Sequence, residues 1–419
     1  MKRFRLNAGL RLAGALAVST TLLTVGSLAV SRPVGADPGF VSSYVGVGSD
    51  TLQDLFNAYQ GAEPSPGSET TQQVQGFTPL FSSLATKNKT VSSFDAVDPN
   101  APTTPGCITA KLNGASFDRP NGSSDGVASL SHALDGTGWS KAGVCANVAG
   151  NVTGQIDFAR SSRDHNAVAG TNLTFIPFAR DAVSFAFFDH NTGHLATLTK
   201  TQLNQLYTSA TGTITVGTDT VKACITQNGS GTTKFWETAI GVTSSQAETA
   251  SQASGCTTAP SSTLEENGGN SFDAFATALP AGTDAVVDFS AGSWIAQANG
   301  AALDRSATAR TDHIDLGAID PGTGSLGKPY TGSPGTEAPS STFYSDTTFG
   351  RNLFVVVSTS KLSGLHSDAG LVSLFSGASS SICSSGAQTT AHTFGFDSLS
   401  GSEGTCGDTS AARQAGLYS

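Results

Sequence analysis

Apolar positions fall into short runs that alternate between a period of two and a period near 3.6, separated by polar turns rich in Gly, Ser and Thr. Tyr44-Val45-Gly46-Val47 predicts a strand, and Leu52, Leu55, Phe56 and Tyr59, at i, i+3, i+4 and i+7, predict a helix directly after it. Gly48-Ser49-Asp50-Thr51 joins the two, with Asp50 placed to cap the helix and Gln53 to complete a capping box. Residues 93–97 predict a strand, and 60–75 and 99–105 are polar loops. Val127, Leu130 and Leu134 mark one face of a helix opened by Asn121-Gly122-Ser123-Ser124-Asp125-Gly126. A strand over 155–158 enters the turn Ala159-Arg160-Ser161-Ser162-Arg163.

Residues 173–178 are β-prone, and Val183, Phe185 and Phe187 alternate with smaller residues as a strand with one heavily buried face does. Thr199 with Gln202 forms a second capping box, stapled by Leu198 and Leu203. Helices are expected to begin near Thr233, Ser244 and Ser271, with strands over 285–289 and 314–318. Residues 320–339 form a loop, 353–357 the strongest strand, and 371–375 a short helix before a Cys-bearing tail. Strands alternating with helices predict an α/β fold, with ligands where strand ends meet helix starts.

The chain has 419 residues, enough for two lobes with separate cores, and its 38% apolar content fits globular packing. Residues 1–36 carry Lys2, Arg3, Arg5, Arg11 and Arg32, no acid, an apolar run over 12–30 and the small residues Val34-Gly35-Ala36. That order predicts a signal peptide cleaved after Ala36 and an extracellular or cell-envelope location. Removing five basic residues takes the net charge from -10 to -15, a poor balance for nucleic acid or an anionic membrane. Six cysteines suit an oxidising compartment; they allow 15 pairings, and loop-closure entropy favours Cys107–Cys145, Cys224–Cys256 and Cys383–Cys406.

Four polar turns carry the candidate chemistry: Ser49, Asp50 and Thr51; Ser123, Ser124 and Asp125; Arg160, Ser161, Ser162 and Arg163; Ser230, Gly231 and Thr232. Three open helices, whose free N–H groups and dipole favour an anion, and the fourth adds two guanidinium groups suited to bidentate bonds with oxyanions. No metal or cofactor is expected: Asp189, His190 and His194 follow a strand and are assigned to a loop. Gly122-Ser123-Ser124-Asp125-Gly126 also matches the nucleophile elbow of a serine hydrolase, with His132, His165, His190, His194, His313, His366 and His392 downstream, but Arg119-Pro120-Asn121 is a turn where an elbow needs a strand. A ligand-free surface or adhesion protein is a further alternative, favoured by the low charge and many Ser and Thr residues.

The order of these segments resembles the phosphate-type extracytoplasmic substrate-binding proteins of ABC transporters, of the type II periplasmic-binding-protein fold. The matching pieces are the turns at 48–51, 121–126 and 157–162, the stretch 176–183, residues 198–207 and the turn at 228–233. The resemblance implies two lobes joined by two crossing strands, near 180–187 and 352–357. One lobe would be 37–181 with 353–419, the other 182–352. It implies a non-enzymatic, monomeric protein that traps phosphate for a membrane permease, with Asp50 or Thr51, Ser123, Ser162, Ser230 and Thr232 on the ligand. Ser162 stands where the family usually has Asp, and Thr226 where it has Arg.

Overall fold

In the computed structural model the strands, in chain order, are β1 (Tyr44–Gly48), β2 (Val91–Ser93), β3 (Cys107–Ile108), β4 (Phe117–Asp118), β5 (Phe158–Ser161), β6 (Leu173–Phe188), β7 (Thr197–Thr199) and β8 (Thr213–Val216). There follow β9 (Asp219–Cys224), β10 (Thr283–Ser290), β11 (Ile314–Leu316), β12 (Ala318–Asp320), β13 (Tyr330–Thr331), β14 (Ala338–Pro339), β15 (Gly350–Ser358) and β16 (Ala412–Gln414). Helices include α1 (Gln53–Gln60), α2 (Ser123–Asp135), α3 (Lys200–Thr208), α4 (Gly231–Ile240) and α5 (Ser244–Ala253). The structure describes residues 43–60, 91–97, 106–165, 172–256, 264–266, 278–304, 314–410 and 412–414, less positions 142, 146, 147, 191, 192, 228 and 323. The expected signal peptide, the loops at 61–75 and 99–105 and the helix near Ser271 lie outside them.

One large sheet runs in the order β2-β1-β5-β15-β6-β10-β9-β8, with β11 and β16 also pairing β6. β1 is parallel to β2 and β5, and β10 to β9, while β15 and β10 run antiparallel to β6. The α/β class is therefore as expected. β6 is a single strand of 16 buried residues where the sequence suggested two pieces, because its first half pairs with β15 and its second half with β10.

The alternation along β15 shows why its apolar run is continuous. Leu353, Val355 and Val357 face a core with Phe56, Phe158, Phe178 and Phe375, while Phe354 and Val356 face another with Val47, Val127 and Phe175. A third core gathers residues between Ala182 and Phe349, including Phe185, Leu203, Trp236, Phe289 and Trp294. All described residues belong to one compact unit, Pro33–Ser419. No helix among them is long and apolar enough to cross a membrane.

Several local expectations need correction. The strand expected over 93–97 is β2, ending at Ser93, and the one expected over 155–158 is β5, beginning at Phe158. Gln155 and Asp157 instead use their side chains to bind backbone N–H groups, of Ala110 and Val45. Leu134 is exposed although Val127 and Leu130 are buried. Gln53 does not close a capping box with Asp50: its side-chain oxygen accepts from Ala96 N. Residues 320–339 contain a small hairpin, β13 with β14. The Thr199–Gln202 capping box is present, at 3.1 and 2.9 Å. The three disulfides are Cys107–Cys145, Cys224–Cys256 and Cys383–Cys406, with Cα atoms 6.0, 5.4 and 5.8 Å apart.

Candidate functional site

Three of the four turns leave the C-terminal ends of strands. Ser49 to Thr51 follow β1, Ser162 and Arg163 follow β5, and the turn at 225–230 follows β9 into α4. Asn121 bridges to Gly48 in parallel, which brings the opening of α2 beside β1. Such strand ends are where ligands bind in open α/β sheets.

Close packing draws the turns together. Ser123 Oγ lies 3.1 Å from Ser162 Oγ and accepts Ser162 N at 3.0 Å. Ser124 N donates to Gly229 O at 3.3 Å. A Cβ on Gly231 would overlap the hydroxyls of Ser123 and Ser162, so only glycine fits there. Thr51 Oγ1 and Thr232 Oγ1 are 3.2 Å apart. Ser49, Asp50, Thr51, Ser123, Asp125, Arg160, Ser161, Ser162, Ser230 and Thr232 are all buried.

Individual roles differ. Ser230 caps α4, its hydroxyl accepting from Thr232 N and Thr233 N, whereas α2 starts at Gly122 without a side-chain cap. Arg160 gives its donors to the carbonyls of Gly48, Ser49 and Phe94 and to Ser93 Oγ. Arg163 Nη2 donates to Ser124 Oγ at 3.2 Å. Ser161 Oγ donates to Arg163 O at 2.6 Å, a bond internal to the turn. Lys141 pairs with Asp125 at 3.0 Å. Thr226 and Thr233 both donate to Asp288, each hydroxyl at 2.9 Å. As a hydrolase elbow the segment at 122–126 lacks the required lead-in, since β4 ends at Asp118 and residues 119–122 intervene.

Residues that sequence reasoning passed over complete the site. Arg351, at the start of β15, donates to Asp181 Oδ2 from Nε at 3.0 Å and from Nη2 at 2.7 Å. Nη2 also reaches Thr232 Oγ1 at 2.9 Å. Asp181 in turn accepts Ser290 Oγ at 2.9 Å and Gly292 N at 3.0 Å, the latter at the start of the helix Ala291–Ala298. Glu266 accepts Ser290 N and Thr51 Oγ1, both at 2.8 Å. A closed ring results, running Thr51, Thr232, Arg351, Asp181, Ser290, Glu266 and back to Thr51. The Arg351 side chain is 1% exposed, yet its Nη1 has no hydrogen-bond partner, and neither does the buried Ser49 hydroxyl.

Electrostatics around the ring are set by burial. Burial, and then the charge of Asp50, pushes Glu266 up to about 8, with Arg351 opposing. Glu265, which accepts Asn121 Nδ2 at 2.7 Å, is raised well above its ordinary value by burial and by Asp50. Burial also raises Asp50, against the Thr51 amide and the charges of Arg351 and Arg160. Asp125 is raised by burial against Lys141. With Glu266 pushed up to about 8, its protonated form is favoured at neutral pH, and hydroxyl and guanidinium donors face a site with reduced negative charge.

No family model matches the sequence, and no curated protein matches it. Among solved structures the chain is similar to a putative phosphate ABC transporter substrate-binding protein with bound phosphate from Clostridium perfringens, at 12% identity and a TM-score of 0.42, over 85% of this chain and 99% of that one. It is likewise similar to an ABC-type phosphate transport receptor from Vibrio cholerae, at 14% identity and a TM-score of 0.42, over 85% and 100%. A possible phosphate binding protein from Planctomyces limnophilus DSM 3776 follows at 10% identity and 0.40, over 86% and 94%.

Proposed function

We propose that this protein is an extracytoplasmic binding protein that holds a tetrahedral oxyanion, phosphate first, and hands it to a membrane permease. The observation that carries the reading is Arg351, buried, with Nη1 unpartnered, beside the Thr51 and Thr232 hydroxyls. A buried guanidinium with spare donors supplies charge-assisted bonds to an oxyanion, and the hydroxyls of Ser49, Ser123, Ser162 and Thr232 supply neutral ones, with Thr51 held beside them by Glu266. The opening of α2, which has no side-chain cap, adds the positive end of a helix dipole beside these hydroxyls. In this reading Ser230 and Gly231 shape the α4 turn, Arg160 and Ser161 hold the β1 and β5 ends in register, and Arg163 fixes Ser124.

Hydrogen phosphate and sulfate separate here by a proton. Asp50 is the candidate acceptor, because an ionised carboxylate there would take the phosphate proton and find none on sulfate. The residues divide as lobes 37–181 with 353–419 and 182–352, joined along β6 and β15, and the ring of bonds ties elements of both. Closure on the ligand is the motion that such a hinge permits. The sequence supports export with cleavage after Ala36, and mass spectrometry of secreted protein is expected to find Asp37 as the mature N-terminus.

The direct test is a thermal-shift series with phosphate, arsenate and sulfate on wild type and Arg351→Gln. Excess phosphate is expected to raise the wild-type midpoint, by mass action worth about 2.7 kcal/mol at a hundredfold excess over Kd. Sulfate is expected to leave it unchanged. A phosphate shift that survives Arg351→Gln would refute the site.

A further inference from the structure

At the opposite end of the parallel strands β9 and β10 lies a second polar cluster, built from the β6 exit and the β8–β9 hairpin. Asp189 follows β6, Asp219 begins β9 and Asp284 is the second residue of β10. Sheet register sets all three on one face. Ala285 pairs with Phe188, which brings Asp284 beside Asp189; Asp284 pairs with Val221, two residues beyond Asp219. All three are at most 3% exposed. His194 Nδ1 lies 3.1 Å from Asp219 Oδ2, and its ring packs over Gly217 in the hairpin. One ligand atom from each of Asp189, His194 and Asp219 falls within 4.8 Å of the others.

Asp284 supplies an independent sign. Its Oδ1 accepts His190 N at 3.0 Å, but its Oδ2 is buried without a hydrogen-bond partner. Asp189 and Asp219 lie near enough for their charges to act on it. His190 Nδ1 lies 3.5 Å from Asp284 Oδ1, which leaves Oδ2 bare beside two further carboxylates, and such crowding is costly unless a cation joins them.

We infer that Asp189, His194 and Asp219 form a site for a divalent transition-metal ion, with the bare carboxylate oxygen of Asp284 adding negative charge beside it. Imidazole favours zinc, carboxylates favour manganese, and the sulfur-free mixture admits both while leaving soft copper(I) out. Bonds of about 2.1 Å hold neighbouring ligands roughly 3–3.5 Å apart, a spacing that the His194–Asp219 pair already has. The site joins β6, β9 and β10, far along the sheet from the turns at their other ends, so its role is to pin these strands, separate from the oxyanion chemistry.

Calorimetry on the untagged, EDTA-treated chain with Zn²⁺ and Mn²⁺ separately is the test. Saturable 1:1 binding of at least one ion is expected, weakened about tenfold or more by His194→Ala, whose ring is partly exposed and whose loss leaves the core intact. Asp284→Asn gives a second, thermal readout: it is expected to raise the midpoint of the metal-free chain, by removing the bare charge, and to shrink the increase that metal produces. No saturable binding below about 1 mM, the weakest affinity at which ordinary metal modules operate, would overturn the site. So would an affinity that His194→Ala leaves unchanged.

Discussion

Arg160 and Arg351 are both buried arginines beside the same turns, and they spend their donors differently. Arg160 points its guanidinium into the protein, where the carbonyls of Gly48, Ser49 and Phe94 take its donors. It fixes the path of the turn after β1. Arg351 shares Asp181 and Thr232 and keeps Nη1 without a partner. A buried cation consumed by carbonyls is scaffold; one with a spare donor beside hydroxyls is equipped for a ligand. Burial alone does not separate the two, but the count of committed donors does.

That contrast can be broken by substitution. Arg160→Ala is expected to cost stability most, about 3–5 kcal/mol in denaturant unfolding, because three buried carbonyls each lose a charged donor together. If Arg160→Ala folds with wild-type stability, the scaffold role is wrong. Arg351→Gln is expected to weaken phosphate at least tenfold, about 1.4 kcal/mol, in equilibrium dialysis, since a buried charge-assisted contact is lost. Its stability loss is expected to be the smaller of the two, because Ser290 and Gly292 still donate to Asp181.

Glu266 sharpens the same comparison through pH. Its folded-state value is pushed up from 4.5 to about 8, so between these the folded chain keeps a proton that the unfolded chain releases. Its contribution to stability is full below the lower value, declines as pH rises and is gone above the upper one. Thermal midpoints are therefore expected to fall from pH 5 to pH 8.5, and Glu266→Gln to flatten that slope; an equal slope in the variant would remove Glu266 as the cause. Arg163→Ala is expected to have the smallest effect, about threefold or less on phosphate affinity, because this side chain is only partly buried and acts through Ser124.

Much of this was legible in the sequence, and the exceptions have physical reasons. The turns at 48–51, 121–126, 159–163 and 228–233 stand out because Gly, Ser and Asp break apolar periodicity, and Thr199 with Gln202 is a purely local signal. Arg160 drew attention for its neighbours Ser161, Ser162 and Arg163, although its donors are spent on backbone that is distant in sequence. Arg351 gave no local sign, since it opens an ordinary apolar strand and meets Asp181 and Thr232 only through β-sheet pairing. Glu265-Glu266 left a faint one, as adjacent acids in a chain with only 13% charged residues. Leu134 shares a helix with Val127 and Leu130 yet is exposed, because helical spacing shows which residues share a face and only packing decides how much of that face is covered.

The central claim is that Arg351 and the surrounding hydroxyls hold a protonated oxyanion. Titration calorimetry of phosphate and sulfate into the mature chain at pH 7, with Arg351→Gln alongside, tests it most directly. Saturable heat with phosphate, none with sulfate, and a loss of at least about tenfold in the variant are the predicted results. No phosphate heat in the wild-type chain, or equal affinity in the two proteins, would contradict it.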